Sequence, residues 1–210
     1  MRDIPFFTTQ LGVASLTLSQ IPYTQKAFIR IQDSSNAKEF LEECISFCRA
    51  AGANQIYATG HHICALYPEY TSIIQMRAEL SSLADTDVQL FPVTEQTIEN
   101  WRSIYNKKII HIPGGAWMTI QQGNDLLKDG YFVHRDGQLL GIGKAFGDQI
   151  HWIASVFHGA GADVVKALCR ALTGDSVSLE VASANEKAIA LYEKLGFIRT
   201  KIISTWYCVK

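Results

Sequence analysis

Two short turns, RDGQ at residues 135–138 and FGDQ at 146–149, most constrain how this chain can fold. Each turn separates runs rich in aromatic and aliphatic residues within YFVHRDGQLLGIGKAFGDQIHWIASVF, residues 131–157. An Asp/Gly pair between two such runs is typical of a tight β-hairpin, because these residues tolerate positive φ at low cost. The segment therefore predicts three consecutive antiparallel strands.

Helix and strand signals alternate on both sides of this meander. The expected order from residue 88 to the C-terminus is β-α-α-β-β-β-α-β-α-β. Thr94, with glutamate and glutamine nearby, is a reasonable start for the first helix. Apart from the meander, the segments that predict these elements are VQLFPV, TEQTIENWRSIY, GNDLLKDG, DVVKALCRALTG, SVSLEVAS, ANEKAIALYEKLGF and RTKIISTWYCVK. We therefore expect an α/β (α+β) fold with a mostly antiparallel sheet flanked by helices.

The first part of the chain repeats the order of the second in shortened form. LYPEYTSIIQ (66–75) resembles LYEKLGFIRTKIIS (191–204), although Pro68 would block a helix at the equivalent place. The segments that predict β-β-α-β-β here are GVASLTLSQ, KAFIRIQD, NAKEFLEECISFCRAAG, NQIYATG and TSIIQMRAEL. The sequence therefore predicts a duplication, with a degenerate N-terminal half over 1–85, a linker around SSLADTD (81–87), and a second domain over 86–210.

Composition excludes several classes of protein. The 19 basic and 20 acidic residues are spread along the chain and contain no basic block, which argues against a nucleic-acid partner. No apolar run approaches the roughly 20 residues that span a bilayer, and MRDIPFFTTQ does not read as a signal peptide. We therefore expect a cytoplasmic protein with no membrane partner.

The five cysteines form no CxxC pair, and an odd number suits reduced thiols. Cys44 and Cys48 lie four residues apart on an expected helix, which favours buried core thiols over a redox pair. HHIC (61–64) has no second ligand pair at zinc-finger spacing. We therefore expect no metal.

The helix ANEKAIALYEKLGF (184–197) contains its own start and stop signals. Asn185 is placed as an N-cap and Gly196 as the left-handed residue that ends the helix. In such a C-terminus Phe197 is expected to contact Tyr192. Packing then explains the aromatic ring of Tyr192 and leaves only its hydroxyl without a purpose.

A glycine-containing turn precedes another helix in VFHGAGADVVKAL (156–168). A turn of this kind presents backbone N–H groups at a helix N-terminus, where the helix dipole favours an anion such as pyrophosphate. Gly159 and Gly161 could equally be plain turn residues. The equivalent N-terminal stretch, IQDSSNAKEF, has no glycine, so that half is expected to play a structural role.

The element order, this turn and LEVASANEKAIALYEKLGF (179–197) together resemble the GCN5-related N-acetyltransferase family, over most of residues 88–210. The resemblance implies an enzyme that uses acetyl-CoA, whose pantetheine arm pairs with the backbone of Ala154 and Val156 and lies near Asn185. It implies that the turn binds the pyrophosphate through the residues His158, Gly159, Ala160, Gly161, Ala162 and Asp163. Tyr192 would protonate the departing thiolate.

The turn departs from the family pattern of Arg or Gln, two residues, Gly, one residue, and Gly or Ala. His158 leaves the turn without the family arginine, and Asp163 adds a carboxylate near the expected anion.

Acetyltransferases that modify ribosomal-protein N-termini place a similar glutamate as the base, which implies this role for Glu180. His151 is the second candidate, because a neutral imidazole suits a base near pH 7.

The sequence thus predicts an N-acetyltransferase that transfers the acetyl group of acetyl-CoA to a primary amine, in a small molecule or a peptide. The alternative is a non-catalytic module that binds CoA or a protein partner. The oligomeric state stays open, although IISTWYCV (202–209) could pair at an exposed edge and form a homodimer.

Overall fold

The computed structural model describes residues 2–83 and 86–210 and divides into two compact units. Unit 1 comprises residues up to Ile73 together with Ile203–Lys210, and unit 2 comprises Ile74–Ile202. The predicted boundary at 85/86 falls next to residues 84 and 85, which lie outside the described residues, as does part of the predicted linker. That boundary and the duplication stay predictions.

The predicted elements occur in the predicted order, and the described residues also form one strand, two short α-helices and two 3₁₀ helices that the sequence did not predict. The strands are β1 Ile4–Thr9, β2 Gly12–Thr17, β3 Lys26–Ser34, β4 Gln55–Thr59, β5 Glu69–Glu79, β6 Gln89–Pro92, β7 Gly130–Arg135, β8 Gln138–Phe146, β9 Gln149–Ser155, β10 Ser176–Ala182 and β11 Ile198–Cys208. The α-helices are α1 Ile21–Thr24, α2 Ala37–Ala50, α3 Ile98–Ile109, α4 Ile120–Gly123, α5 Leu126–Asp129, α6 Gly161–Cys169 and α7 Glu186–Lys194. Short 3₁₀ helices occupy His62–Leu66 and Leu80–Ser82.

Unit 1 has the strand order β1-β2-β3-β4-β11-β5. Helix α2 is capped by Asn36, whose side chain accepts a hydrogen bond from the Glu39 amide, and it buries Phe40 in the apolar core of this unit. Cys44 and Cys48 lie in this core as free, buried thiols, as predicted. Burial raises the pKa of the Cys44 thiol to about 12, so it stays uncharged.

The two units share one internal order. In unit 1 an antiparallel pair, β2 and β3, leads through α2 to the parallel neighbour β4. In unit 2 the antiparallel pair β8 and β9 leads through α6 to the parallel neighbour β10. The 3₁₀ helix His62–Leu66 ends before Pro68, at the place in the order that α7 occupies in unit 2. This equivalence is what a duplication predicts.

Unit 2 has the strand order β11-β5-β10-β9-β8-β7-β6. The predicted meander is confirmed: Asp136 and Gly137, both at positive φ, join β7 to β8, and Gly147 begins the turn from β8 to β9. Helices α6 and α7 pack on one face of this sheet, and α3 and α5 pack on the other. The adjacent residues Phe132 and Val133 point into these two separate cores, as strand geometry requires.

Two expectations were wrong: the start of helix α3 and the position of the C-terminal strand at a sheet edge. Helix α3 begins at Ile98, because the Thr97 hydroxyl accepts a hydrogen bond from the Thr94 amide at 2.9 Å and holds Thr94–Thr97 in a turn. The C-terminal strand β11 lies between β4 and β5, where Tyr207 pairs with Ala58. It is therefore an interior strand of the sheet, and the oligomeric state stays open.

Replacing Gly141 with alanine should destabilise unit 2. A Cβ at this position would lie 2.5 Å from Cγ2 of Val164 and 2.7 Å from the carbonyl oxygen of Ala154, so β8 would have to move from β9 and α6. We expect a loss of about 1–3 kcal/mol in the free energy of unfolding, measured by urea denaturation. Gln138→Ala, an exposed change on the same strand, is the control. Equal stabilities of the two variants would contradict this packing.

Candidate functional site

The centre of the site is a gap between the parallel strands β9 and β10. The two strands pair only at their beginnings, where Ser178 lies opposite Gln149 and Leu179 opposite Ile150. Beyond Ile150 and Leu179, β9 continues to Ser155 and β10 to Ala182, and no further pair between these two strands is found among the described residues. The sheet therefore opens at this point and leaves backbone hydrogen-bonding groups without a strand partner.

A β-bulge in β9 marks the point at which the strands separate. Ile142 pairs with Ala154 and Lys144 with His151, so Gly143 alone lies opposite the two residues Trp152 and Ile153. Trp152 has φ of 50°, an uncommon conformation for a non-glycine residue. Bulges of this kind bend a strand and increase its twist, which directs the end of β9 away from β10.

A cavity of about 220 Å³ lies at the gap, within unit 2. Its walls come from β9, from both helices on one face of the sheet and from α3 on the other. The lining residues are Tyr105, Lys108, Ile109, Ile112, Ile153, Ala154, Ser155, Gly161, Val165, Asn185, Ala188, Leu191 and Tyr192. The cavity is thus mostly apolar, with a few polar groups, as small-molecule sites commonly are.

The predicted phosphate turn lies at the N-terminus of α6. Gly159 has φ of 83°, which only glycine adopts readily, and the N-cap Ala160 has no side-chain cap for the first amides of the helix. His158 and Gly159 are exposed, whereas Gly161 lines the cavity. A Cβ at Gly161 would lie 2.8 Å from Cδ2 of Leu191, so glycine here also permits the approach of α7.

Asp163 does not stand as an unpaired charge beside this turn. Its Oδ2 lies 3.2 Å from a guanidinium nitrogen of Arg135, at the end of β7, and the same nitrogen lies 2.9 Å from Oδ1 of Asp87. The hydrogen bonds to Asp87 and then to Asp163 raise the pKa of Arg135 further above its ordinary value. Arg135 therefore partly offsets the negative charge of Asp163, the carboxylate that lies near the expected pyrophosphate site.

Helix α7 has the ends that its sequence predicts. The Asn185 side chain accepts a hydrogen bond from the Ala188 amide, and Gly196 has φ of 92°. The Phe197 amide donates to the Tyr192 carbonyl and the Gly196 amide to the Glu193 carbonyl, which is a Schellman motif. The rings of Tyr192 and Phe197 lie 5.8 Å apart, so the predicted contact is confirmed.

The contact with Phe197 accounts for the ring of Tyr192 but not for its hydroxyl. Tyr192 is 7% exposed and lines the cavity, and no hydrogen bond of its hydroxyl is found among the described residues. Burial raises the pKa of Tyr192 to about 12, so the hydroxyl keeps its proton at neutral pH. It can therefore donate a proton or a hydrogen bond to a molecule in the cavity.

The two candidate bases are close enough to interact but lie outside the cavity wall. Burial, followed by the charge of Lys144, lowers the pKa of His151, while the carboxylates of Glu180 and Asp148 act in the opposite direction. His151 is half-buried and Glu180 is exposed. A neutral imidazole at pH 7 is therefore favoured at His151.

The predicted pairing through Val156 needs a correction. The Val156 amide donates to the Leu140 carbonyl at 2.9 Å, so it points toward β8 and away from the gap. Because amides alternate in direction along a strand, the Ser155 amide is the one that faces the gap. Ser155 and Ala154 both line the cavity, whereas Val156 does not.

The sequence reasoning missed the contribution of α3. Tyr105 and Lys108 line the cavity from this helix, which the sequence predicted only as far as residue 105. An available signal was the spacing of Trp101 and Tyr105, which places two aromatic residues on one helix face. The sequence alone could not predict that Tyr105 lines a cavity, because both aromatic positions are equally compatible with a packed core.

Within residues 2–83 and 86–210, no group of three or more His, Cys, Asp or Glu side chains is arranged to bind a metal ion. No helix there combines the length and the apolar character needed to cross a membrane.

Comparisons with known proteins agree with the sequence resemblance. Residues 157–207 match the model of the FR47-like protein family. A Staphylococcus epidermidis protein of unknown function has a TM-score of 0.63 at 10% identity, over 96% of this chain and 91% of that one. A GCN5-related N-acetyltransferase from Sphaerobacter thermophilus has a TM-score of 0.55 at 10% identity, over 94% of this chain and 76% of that one. A GNAT-family acetyltransferase from Colwellia psychrerythraea has a TM-score of 0.52 at 12% identity, over 98% of this chain and 84% of that one.

No curated protein matches the sequence. At these low identities the structural matches establish the fold alone. The chain therefore has the fold of the GCN5-related N-acetyltransferases, as the sequence resemblance predicted, and its residues 157–207 match the FR47-like family model.

Proposed function

We propose that the protein is an N-acetyltransferase that transfers the acetyl group of acetyl-CoA to a primary amine by direct attack. The observation that carries the proposal is the gap between β9 and β10, with a cavity that contains the free hydroxyl of Tyr192. The fold of the chain and its FR47-like segment support an acyltransferase in general terms. The acetyl donor and the amine acceptor are the parts that we propose.

The residues of the gap fit the parts of acetyl-CoA. A pantetheine arm carries amides that can pair with an open strand, and the Ser155 amide faces the gap where such pairing is free. The uncapped first amides of α6 fit a pyrophosphate, and Arg135 offsets the one carboxylate among them. The apolar cavity walls fit the uncharged thioester end of the molecule.

The reaction needs a neutral amine and a protonated leaving group. The amine nitrogen attacks the thioester carbonyl carbon, the C–S bond breaks, and the thiolate takes a proton from the Tyr192 hydroxyl. A base removes the proton of the amine, and no covalent enzyme intermediate is needed. We assign the base to His151, which burial keeps neutral, with Glu180 as the second candidate, each acting directly or through one water.

Tyr192→Phe should separate chemistry from binding. The change removes one oxygen without a protein partner, so acetyl-CoA affinity should stay within about two-fold in calorimetric titration. Release of free thiol from acetyl-CoA, followed over a panel of primary amines and peptides, should fall about 100-fold or more. Tyr131→Phe, which lies outside the cavity lining, is the matched control.

Three results would decide against parts of this assignment. No heat with millimolar acetyl-CoA and folded wild-type protein would contradict the donor. Binding without thiol release for any acceptor would favour a non-catalytic CoA-binding module. Full activity of Tyr192→Phe would remove the hydroxyl from the mechanism.

Arg135→Met should weaken acetyl-CoA binding by leaving the Asp163 carboxylate uncompensated beside the phosphates. Exposed charge pairs are weak and are screened by salt, so we expect a loss of about two- to five-fold in affinity at low salt. Asp163→Asn in the same chain should restore it. Arg199→Met, which breaks the exposed pair with Glu193, is the control. Failure of Asp163→Asn to rescue would show that Arg135 acts by another route.

The pH dependence of kcat/KM should reveal the base. His151 must be neutral to accept a proton, and its pKa lies below the ordinary value of 6.5, so the rate should fall only as the pH drops below that value. Lys144→Met removes a positive charge that lowers this pKa, and should therefore move the midpoint of the fall upward. A midpoint that persists unchanged in His151→Asn would transfer the role to Glu180.

A further inference from the structure

Tyr105 is a second tyrosine that lines the same cavity, and its hydroxyl is accessible there. It lies on α3 and is 4% exposed, yet no hydrogen bond of its hydroxyl is found among the described residues. Its neighbour Trp101 shows the contrast, because the Trp101 indole N–H donates to the Tyr131 carbonyl at 2.9 Å. The Tyr105 oxygen is not among the fully enclosed polar atoms without a partner, so it is accessible from the cavity and can form a hydrogen bond with a molecule bound there.

The ring of Tyr105 is held in place from two sides. It stacks on Trp101 with ring centroids 5.7 Å apart, and it makes an edge contact of 6.5 Å with Trp152, the residue of the β-bulge. These contacts fix the ring and leave the hydroxyl with its potential partner in the cavity. A rigid, unpaired donor is what a preorganised catalytic site requires.

Tyr105 and Tyr192 reach the cavity from opposite layers of unit 2. Tyr105 belongs to the core between α3 and the sheet, whereas Tyr192 belongs to the core under α6 and α7. The gap between β9 and β10 allows side chains from both layers to line one cavity. A thioester in the gap would therefore have one hydroxyl on each side.

We propose that Tyr105 is a catalytic residue that donates a hydrogen bond to the carbonyl oxygen of the bound thioester, while Tyr192 donates a proton to the thioester sulfur. The inference rests on the acetyltransferase activity proposed above. Negative charge develops on two atoms during acyl transfer, the carbonyl oxygen and the sulfur, and the cavity offers one hydroxyl for each.

The steps balance with these two groups. As the C–N bond forms, the electron pair of the C=O π bond moves to oxygen, which accepts the Tyr105 hydrogen bond without taking the proton. The pair returns as the C–S bond breaks, and sulfur receives its proton from Tyr192. The proton that the base removes from the amine restores the tyrosine, so the net change is one proton moved from nitrogen to sulfur. Burial raises the pKa of Tyr105, which keeps it a donor throughout.

Tyr105→Phe tests the proposal, with Tyr131→Phe as the matched control and Tyr192→Phe as the reference. We expect kcat for thiol release, with the best acceptor of the amine panel, to fall about 100-fold in Tyr105→Phe. The dissociation constant of CoA should stay within two-fold. The melting temperature without ligand should change little, because the hydroxyl that is removed makes no hydrogen bond within the described residues.

Each other outcome overturns the assignment. An unchanged kcat would mean that the hydroxyl does not contact the reacting atoms. A lower melting temperature together with a matching loss of CoA affinity would mean that Tyr105 is structural. Full activity of Tyr105→Phe alongside an inactive Tyr192→Phe would overturn this inference and leave the proposed function intact, whereas absence of turnover in the wild-type protein would overturn both.

Discussion

The incomplete pairing of β9 with β10 is the constraint on which the candidate site depends. Backbone N–H and C=O groups inside a sheet are normally paired, and here the ladder stops after Ile150 and Leu179. The bulge at Trp152 turns β9 away, and the positive φ of that residue is the local cost. Without the bulge, β9 would continue beside β10, and the cavity would be closed by a hydrogen-bonded pair of strands.

Close packing around the gap keeps it open and shaped. Gly141 allows β8 to approach β9 and α6, and Gly161 allows α7 to approach α6. These contacts bring Tyr192 and the first turn of α6 to one wall, while Trp101 and Trp152 hold Tyr105 at another. The polar groups of the site are therefore fixed by apolar packing, and both tyrosine hydroxyls are left unpaired for a ligand.

The charges near the turn show how a departure from a family pattern can be compensated from elsewhere in the fold. The turn has His158 where the family pattern has arginine, and it adds Asp163 near the expected phosphates. Arg135, 28 residues earlier and on another element, lies within 3.2 Å of that carboxylate. Its guanidinium does not replace the missing one in position, but it pairs with the added carboxylate.

Local chemistry allowed the sequence to determine most of the elements and the family resemblance. The Asp/Gly turns, the cap Asn185 and the C-terminal Gly196 act within a few residues of themselves, so their effects could be predicted without a structure. The same holds for the contact between Tyr192 and Phe197, which the Schellman motif fixes locally. The start of α3 was missed because Thr94 and Thr97 compete for the same role, and only the folded backbone selects Thr97.

Only the tertiary structure decided which residues meet at the cavity. The direction of the Val156 amide depends on its register with Leu140, the place of β11 depends on strands from the first part of the chain, and the role of Tyr105 depends on a gap in the sheet about 50 residues later. Each is set by pairing between distant segments, which no local pattern encodes. The sequence therefore predicted the helix that presents Tyr192, whereas the fold supplied the second tyrosine and the arginine that complete the candidate site.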